Sequence, residues 1–469
     1  MTTAPNIIYI LADDMGIGDL SCYGAEKIVT PNMDRLASEG LRFTDAHSSS
    51  AVCTPSRYSI LTGRNCWRTR LQQWVIGGFG RPLIEPEQST LPRMLQEQGY
   101  RTYGVGKWHL GFEWQNQAGE LLPFEEADDM NAQGFNVDYT QRLAGGPLDV
   151  GFDHYFGISG SMDMPPYCYI EGDHVITPPV SEKAHYYNQQ RRGMHSPDYI
   201  EEQVDMRFAE EAVGCIQKHH THAGEQPFFL YLAASAPHRP CEVAPEFVKG
   251  QSAAGDRGDM VLLFDWMVGQ ILDTLDTLGI SENTMVIVTS DNGARITCAN
   301  GQDYGHAANG VYRGQKADIW EGGHREPFLV RWPQQIEAQG VCNQLIGLSD
   351  MYATVADILG VAVDRDQVED SISFLSLLKD PQASATRETL IHHSGEGHFS
   401  IRRGDYKFIL GNGSGGFTEP VGKREPLSRH HCGQLYNLSI DPGETTNLFD
   451  TSPNLVRDLR RLLIQEIAQ

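Results

Sequence analysis

The chain has no long apolar run. Among its 469 residues none approaches the roughly eighteen consecutive apolar positions that a membrane-crossing helix needs, so no helical span is expected. Met1-Thr2-Thr3-Ala4-Pro5-Asn6 runs straight into a strand-like segment, with no basic n-region and no cleavage site. The expected compartment is therefore the cytoplasm, or the periplasm or exterior if a leader has been removed. Basic residues are scarce, with 37 Lys and Arg against 61 Asp and Glu for a net charge of −24. That balance excludes a basic nucleic-acid footprint. It leaves room for a small anion, because charges beyond roughly 8 Å are screened at physiological salt and a local cluster can dominate a pocket. Most of the negative charge serves solubility. The nine cysteines include no C-x-x-C pair, so zinc-ribbon and thioredoxin readings fail, and the odd count leaves at least one thiol free within the chain. Internal repeats and low-complexity tracts are also missing.

What is present is an alternation of strand and helix signals. Short apolar runs at 7–11, 102–105, 228–232, 285–289 and 328–330 are continuous rather than alternating, as expected of strands covered on both faces. Helical patterns lie at 32–40, 55–63, 91–99 and 260–278. Together they predict an α/β architecture. Residues 112–149, 171–197 and 294–312 read as long loops of the kind that carry function. After a helix at 349–359 the character changes to short strands at 400–402 and 407–410, a glycine-rich turn at 411–416 and a last helix at 455–467. The expected division is a catalytic domain over 1–365 and a C-terminal subdomain over 366–469.

The polar clusters fall where apolar runs end. The first run leads into Asp13-Asp14, the second into Lys107-Trp108-His109, the third towards Pro237-His238, and the fourth into Asp291-Asn292-Gly293. In open α/β sheets ligands bind beyond the carboxyl ends of strands, so four strands would deliver these groups to one rim. Asp13, Asp14, Asp291 and Asn292 are oxygen donors only, a set that suits Ca²⁺ or Mg²⁺ rather than zinc. Each pair alone reads equally well as turn and cap residues. Cys53 precedes Pro55 and the short helical stretch closed by Gly63, which puts it at a helix N-terminus, where anions are favoured. A lone cysteine is ordinarily a buried small hydrophobe; beside Thr54, Ser56 and Arg57 it reads as a reactive or modified residue. Lys107 and His109, two apart, would face the same side of an extended strand end. His109 can act as acid or base near neutral pH, and Lys107 can hold an anion. His238 and Lys316, the latter within Arg313-Gly314-Gln315-Lys316, add a titratable group and a cation.

These motifs resemble the formylglycine-dependent type I sulfatases, the arylsulfatase-like branch of the alkaline phosphatase superfamily. The matching segments include Cys53-Thr54-Pro55-Ser56-Arg57, Gly104-Val105-Gly106-Lys107-Trp108-His109, Pro237-His238, Ser290-Asp291-Asn292-Gly293 and Leu435-Tyr436-Asn437-Leu438, and they run in the family's order through nearly the whole chain. The resemblance implies a large mixed sheet flanked by helices, with a smaller C-terminal domain carrying a four-stranded antiparallel sheet and a terminal helix. It implies that a maturation enzyme oxidises Cys53 to formylglycine, which hydrates to a geminal diol. Asp13, Asp14, Asp291 and Asn292 match the metal ligands, usually for Ca²⁺, with an oxygen of residue 53 completing the shell. Arg57, Lys107, His109, His238 and Lys316 match the residues that hold the diol and the sulfate. One diol hydroxyl would attack sulfur, His238 or Lys316 would protonate the departing alcohol, and His109 would deprotonate the second hydroxyl to expel sulfate.

The segment 155–167, with the loops 112–149 and 303–309, reads as substrate-facing and favours a sulfated carbohydrate over a steroid sulfate. Two other readings accompany it: a phosphonate or phosphate ester hydrolase of the same superfamily, and an inactive protein that binds sulfated glycans. Oligomeric state is not legible in these features.

Overall fold

The computed structural model describes residues 4–296, 304–426 and 431–468. Seven strands form the centre of a large sheet: β1 (Asn6–Ala12), β2 (Leu41–His47), β3 (Arg101–Lys107), β4 (His154–Ile158), β5 (Phe228–Ala233), β6 (Thr284–Ser290) and β7 (Arg325–Arg331). Their spatial order is β2-β7-β6-β1-β5-β3-β4, within an eleven-stranded sheet. β1 lies parallel to β5 and β6, and β3 parallel to β4 and β5, whereas β7 runs antiparallel to both β6 and β2. The mixed sheet matches the expected class.

Period-two geometry divides each central strand between two cores. Along β1, Ile7, Tyr9 and Leu11 enter one apolar cluster, and Ile8, Ile10 and Ala12 enter the other. Helices cover both faces. On the first lie α2 (Cys53–Thr62), α3 (Leu91–Glu97) and α6 (Met351–Leu359); on the second lie α1 (Pro31–Ser38), α4 (Val204–His222) and α5 (Gly255–Leu278). Both faces being covered explains why the strand segments read as continuous apolar runs. Three of these elements are missing from the sequence-based reading: α4, β2 and β4. In α4 the buried apolar residues are Val204, Phe208, Ala209, Ala212, Cys215 and Ile216, half of them small, and Asp205 and His219 are buried beside them, so the apolar signal is faint. The helix expected at 260–278 begins earlier, at Gly255.

A separate four-stranded antiparallel sheet joins Thr389–His393, Phe399–Arg403, Tyr406–Ile409 and Gln434–Asn437 in sequence order. The terminal helix α7 (Pro453–Ala468) places Val456, Leu459 and Leu463, spaced three and four apart, against Ile401, Phe408 and Leu435. Among the described residues no helix is long and apolar enough to cross a membrane. Cys298 and residues 297–303 of the loop expected at 294–312 lie outside the described residues.

Candidate active site

The parallel strands bring their carboxyl ends to one rim. β1 ends at Ala12 and delivers Asp13 and Asp14; β3 ends at Lys107; β6 ends at Ser290 and delivers Asp291 and Asn292. His238 follows β5, and Cys53 opens α2 after the end of β2. Gly63, with φ 66°, closes α2 in the left-handed conformation that glycine adopts without steric cost. Asp14 and His109 also take left-handed backbone, with φ 66° and 56°. Non-glycine residues held there concentrate where a fold fixes functional groups. This turn at His109 corrects the expectation drawn from strand spacing: β3 stops at Lys107, so alternation no longer relates the two side chains.

Buried charges interlock around the carboxylates. Arg57 Nε and Nη2 lie 2.8 and 2.7 Å from Asp291 Oδ2, and Arg57 Nη1 donates to the Lys107 carbonyl at 3.0 Å. Lys107 Nζ lies 2.6 Å from Asp13 Oδ2, and Lys316 Nζ 2.6 Å from Asp14 Oδ1 and 3.2 Å from Cys53 Sγ. Asn292 Nδ2 donates to Asp14 Oδ1 at 2.8 Å, and His238 Nε2 lies 3.6 Å from Asp14 Oδ2. All ten predicted site residues are buried. Burial acts to raise the Asp14 carboxyl, but Lys316 and His238 outweigh it and hold the group far below its usual range. Burial pushes the Cys53 thiol up to about 12 despite Lys107 and Lys316, so residue 53 as a thiol stays protonated at neutral pH.

The two histidines differ in which nitrogen is committed. His109 Nε2 is 2.9 Å from the Ile76 carbonyl, which can only accept, so Nε2 carries the hydrogen; Nδ1 is buried and has no partner among the described residues. Burial, then the charges of Lys107 and Arg57, hold this imidazole well below its ordinary value, and it is neutral with a free lone pair. His238 Nδ1 lies 2.9 Å from the Arg239 carbonyl, which leaves Nε2 turned to Asp14.

The donor set can hold a cation. Ligand atoms of Asp13, Asp14, Cys53 and His238 lie within 4.8 Å of one another. Asp13 Oδ1 and Asn292 Oδ1 are buried acceptors without a hydrogen-bond partner among the described residues, an arrangement that is costly unless something positive fills it. Asp291 is tied to the same place through Arg57 and through the Asp14 N–H at 3.3 Å.

Above these groups opens a cavity of about 470 Å³ with Cys53, His109, His238 and Lys316 on its wall. Trp74 and Phe417, ring centroids 5.4 Å apart, form an aromatic side, and Ser161, Asp163, Arg191 and Arg239 a polar one.

The sulfatase family's sequence model matches residues 5–361. The chain belongs to the sulfatase family. It is 32% identical to an N-acetylgalactosamine-6-O-sulfatase of Bacteroides thetaiotaomicron over 98% of this chain and 92% of that one. It is 31% identical to human steryl-sulfatase over 83% of this chain and 72% of that one. A solved structure from work on the metabolism of multiple glycosaminoglycans by Bacteroides thetaiotaomicron superposes with a TM-score of 0.86 at 32% identity, covering 100% of both chains. This sulfatase is a sulfuric ester hydrolase.

The sulfatase's cavity also shows what sequence reasoning missed. The expected substrate-facing segment 155–167 does line it, through Ser161, Asp163 and Met164, but the long loop 112–149 contributes only Met130. Residues 304–309 do not line it; His306 bonds Asp19 Oδ1 at 2.8 Å, and Gly16, where a Cβ would sit 2.2 Å from the Ala308 carbonyl oxygen, lets that loop pack behind Asp13 and Asp14. Trp74, Arg191, Arg295 and Phe417 were not singled out, because single residues in irregular segments carry no periodic signal. Phe417 directly follows the glycine-rich turn at 411–416, the one sequence signal that could have pointed to it.

Proposed function

We propose that this sulfatase removes sulfate from a sulfated carbohydrate, using residue 53 as nucleophile after a maturation enzyme has converted Cys53 to formylglycine. The observation that carries the reading is the floor of the cavity. There Cys53 meets Lys316 Nζ at 3.2 Å beside the unpartnered oxygens of Asp13 and Asn292. Asp13, Asp14, Asp291 and Asn292 would hold Ca²⁺, or Mg²⁺ in its place, together with an oxygen of the modified residue; the ion would supply Lewis acidity and lower the charge cost of bringing an anion to this rim. The hydrated aldehyde would supply two hydroxyls on one carbon, one to attack sulfur and one whose deprotonation expels sulfate.

The chain's own groups divide the remaining work. Arg57, fixed by Asp291 and the Lys107 carbonyl, orients residue 53. Lys107, buried beside Asp13, and Lys316, on the cavity wall, would present ammonium groups to the charge that spreads over the sulfate oxygens. His109 Nδ1, with its lone pair free, accepts the proton of the second hydroxyl. The departing alcohol takes its proton from His238 or Lys316. The relatives named for N-acetylgalactosamine 6-sulfate and the polar wall of the cavity support a sugar. The matched segment 5–361 and the small sheet beginning at Thr389 support a division of the chain near residue 365.

Mass spectrometry of the peptide carrying residue 53, paired with sulfate release from aryl and sugar sulfates, tests the reading. An aldehyde at residue 53 in active protein is expected, with aryl phosphonates hydrolysed far more slowly than aryl sulfates. Full activity with an intact thiol would overturn it.

A further inference from the structure

Asp163 is 1% exposed and lines the cavity, outside the groups assigned above. Its Oδ2 accepts from Arg239 Nε and Nη2 at 2.8 and 2.6 Å and from Arg191 Nη1 at 2.7 Å. Its Oδ1 is buried and has no partner among the described residues. Burial acts against ionisation, but His238, Arg239 and Arg191 together hold the carboxyl far below its usual range, so it is an acceptor only. Two residues earlier Ser161, also buried and on the cavity wall, has an Oγ without a partner. Buried polar atoms are satisfied in the large majority of cases, so two orphans on one wall of one cavity call for a ligand group.

The charges around the pair limit what that group is. A cation would meet the guanidiniums of Arg191 and Arg239 on the same wall, and an anion would meet the free carboxylate oxygen. A neutral hydroxyl suits both atoms: it donates to Asp163 Oδ1 and accepts from Ser161 Oγ. Resting on the sulfatase reading above, we infer that Asp163 and Ser161 read a free hydroxyl on the sulfated unit itself, selecting sulfated sugars over sulfated phenols and sterols that lack a second hydroxyl. Asp163 is thus a specificity-determining residue, and Arg191 and Arg239 position it.

The test compares kcat/KM of the modified wild-type enzyme on galactose 6-sulfate, N-acetylgalactosamine 6-sulfate, other monosulfated hexoses, their monodeoxy analogues and 4-nitrophenyl sulfate. One monodeoxy analogue of the preferred sugar should lose at least tenfold, since a site built to bond a hydroxyl rejects the compound lacking it. The ratio of sugar to aryl kcat/KM should fall about tenfold or more in Asp163→Asn and several-fold in Ser161→Ala, the gap reflecting a charged against a neutral hydrogen bond. Because Asp163→Asn also loosens two arginines, the deoxy series and Ser161→Ala decide the matter without it. Deoxy analogues all cleaved as fast as their parent, unchanged ratios in both variants, or aryl sulfate cleaved while every sugar is refused would overturn the assignment. Failure of the wild type on aryl and sugar sulfates alike would instead overturn the functional reading beneath it, and the assignment with it.

Discussion

Replacing Lys407 with Met keeps most of the side chain while deleting its charge, at a point where the small sheet meets the turn that leads into β7. Lys407 is 0% exposed; its Nζ lies 3.0 Å from Glu321 Oε1 and 3.1 Å from Glu444 Oε1. Glu321 keeps a second cation, Arg325 Nη1 at 3.1 Å, but among the described residues Glu444 keeps only the Glu321 N–H at 2.6 Å. The damage therefore falls on Glu444. Breaking a buried pair from one side costs about 3–5 kcal/mol, and protonation of the stranded carboxyl lowers that to about 3 kcal/mol near neutral pH. Burial already pushes Glu444 up to about 7, against the pull of Lys407. A carboxyl raised in the folded state contributes stability at low pH that is lost as pH rises through its folded value. Without Lys407 that folded value climbs further, so the deficit of the variant widens above pH 7 by up to about 1.4 kcal/mol per pH unit. At about 2.1 cal/mol/K per residue, the 469 residues give an unfolding entropy near 1 kcal/mol/K, so Tm should fall by about 3 °C if the chain unfolds in one transition. Calorimetry of both proteins at pH 6 and pH 8 measures it. A shift under about 1 °C at both values, or a smaller deficit at pH 8 than at pH 6, would refute the reasoning.

Three further outcomes are expected. Arg57→Lys retains the charge but not the fork that grips Asp291 and the Lys107 carbonyl; at about 2–4 kcal/mol for the lost charge-assisted bonds, kcat/KM for aryl sulfate should drop about 30- to 1000-fold, and near-normal turnover would show that charge alone suffices. Chelation should abolish sulfate release and lower Tm, with Ca²⁺ restoring both, since the proposed ion would be withdrawn from the unpartnered Asp13 and Asn292 oxygens; indifference to chelator would remove the metal from the site. Leu463→Ala, at a fully buried position of α7, should cost about 2–5 kcal/mol, read as a lower urea midpoint, and an unchanged midpoint would mean that the helix adds little to the small sheet.

Much of the rim was legible from sequence because the chemistry and the backbone change at the same place. Asp13-Asp14 and Asp291-Asn292 stand where apolar runs stop, and the parallel pairing of β1 with β6 brings them together. Helix α4 was hidden for the opposite reason, since half of its buried apolar residues are small. The spacing of Lys107 and His109 misled because one left-handed residue cancels strand alternation.

By itself, then, the sequence determined the α/β class, the family signature around Cys53 and the identity of the groups at the strand ends, all of which are local in the chain. Tertiary structure alone decided that Lys316 reaches Cys53 across 263 positions, that His109 commits Nε2 to Ile76 and frees Nδ1, and that Asp163 is gripped by Arg191 and Arg239 from 28 and 76 positions away. Periodicity and turn chemistry report burial and backbone within a few residues. Which oxygen of a buried carboxylate is left without a partner depends on every charge that folding brings beside it, and those come from distant segments.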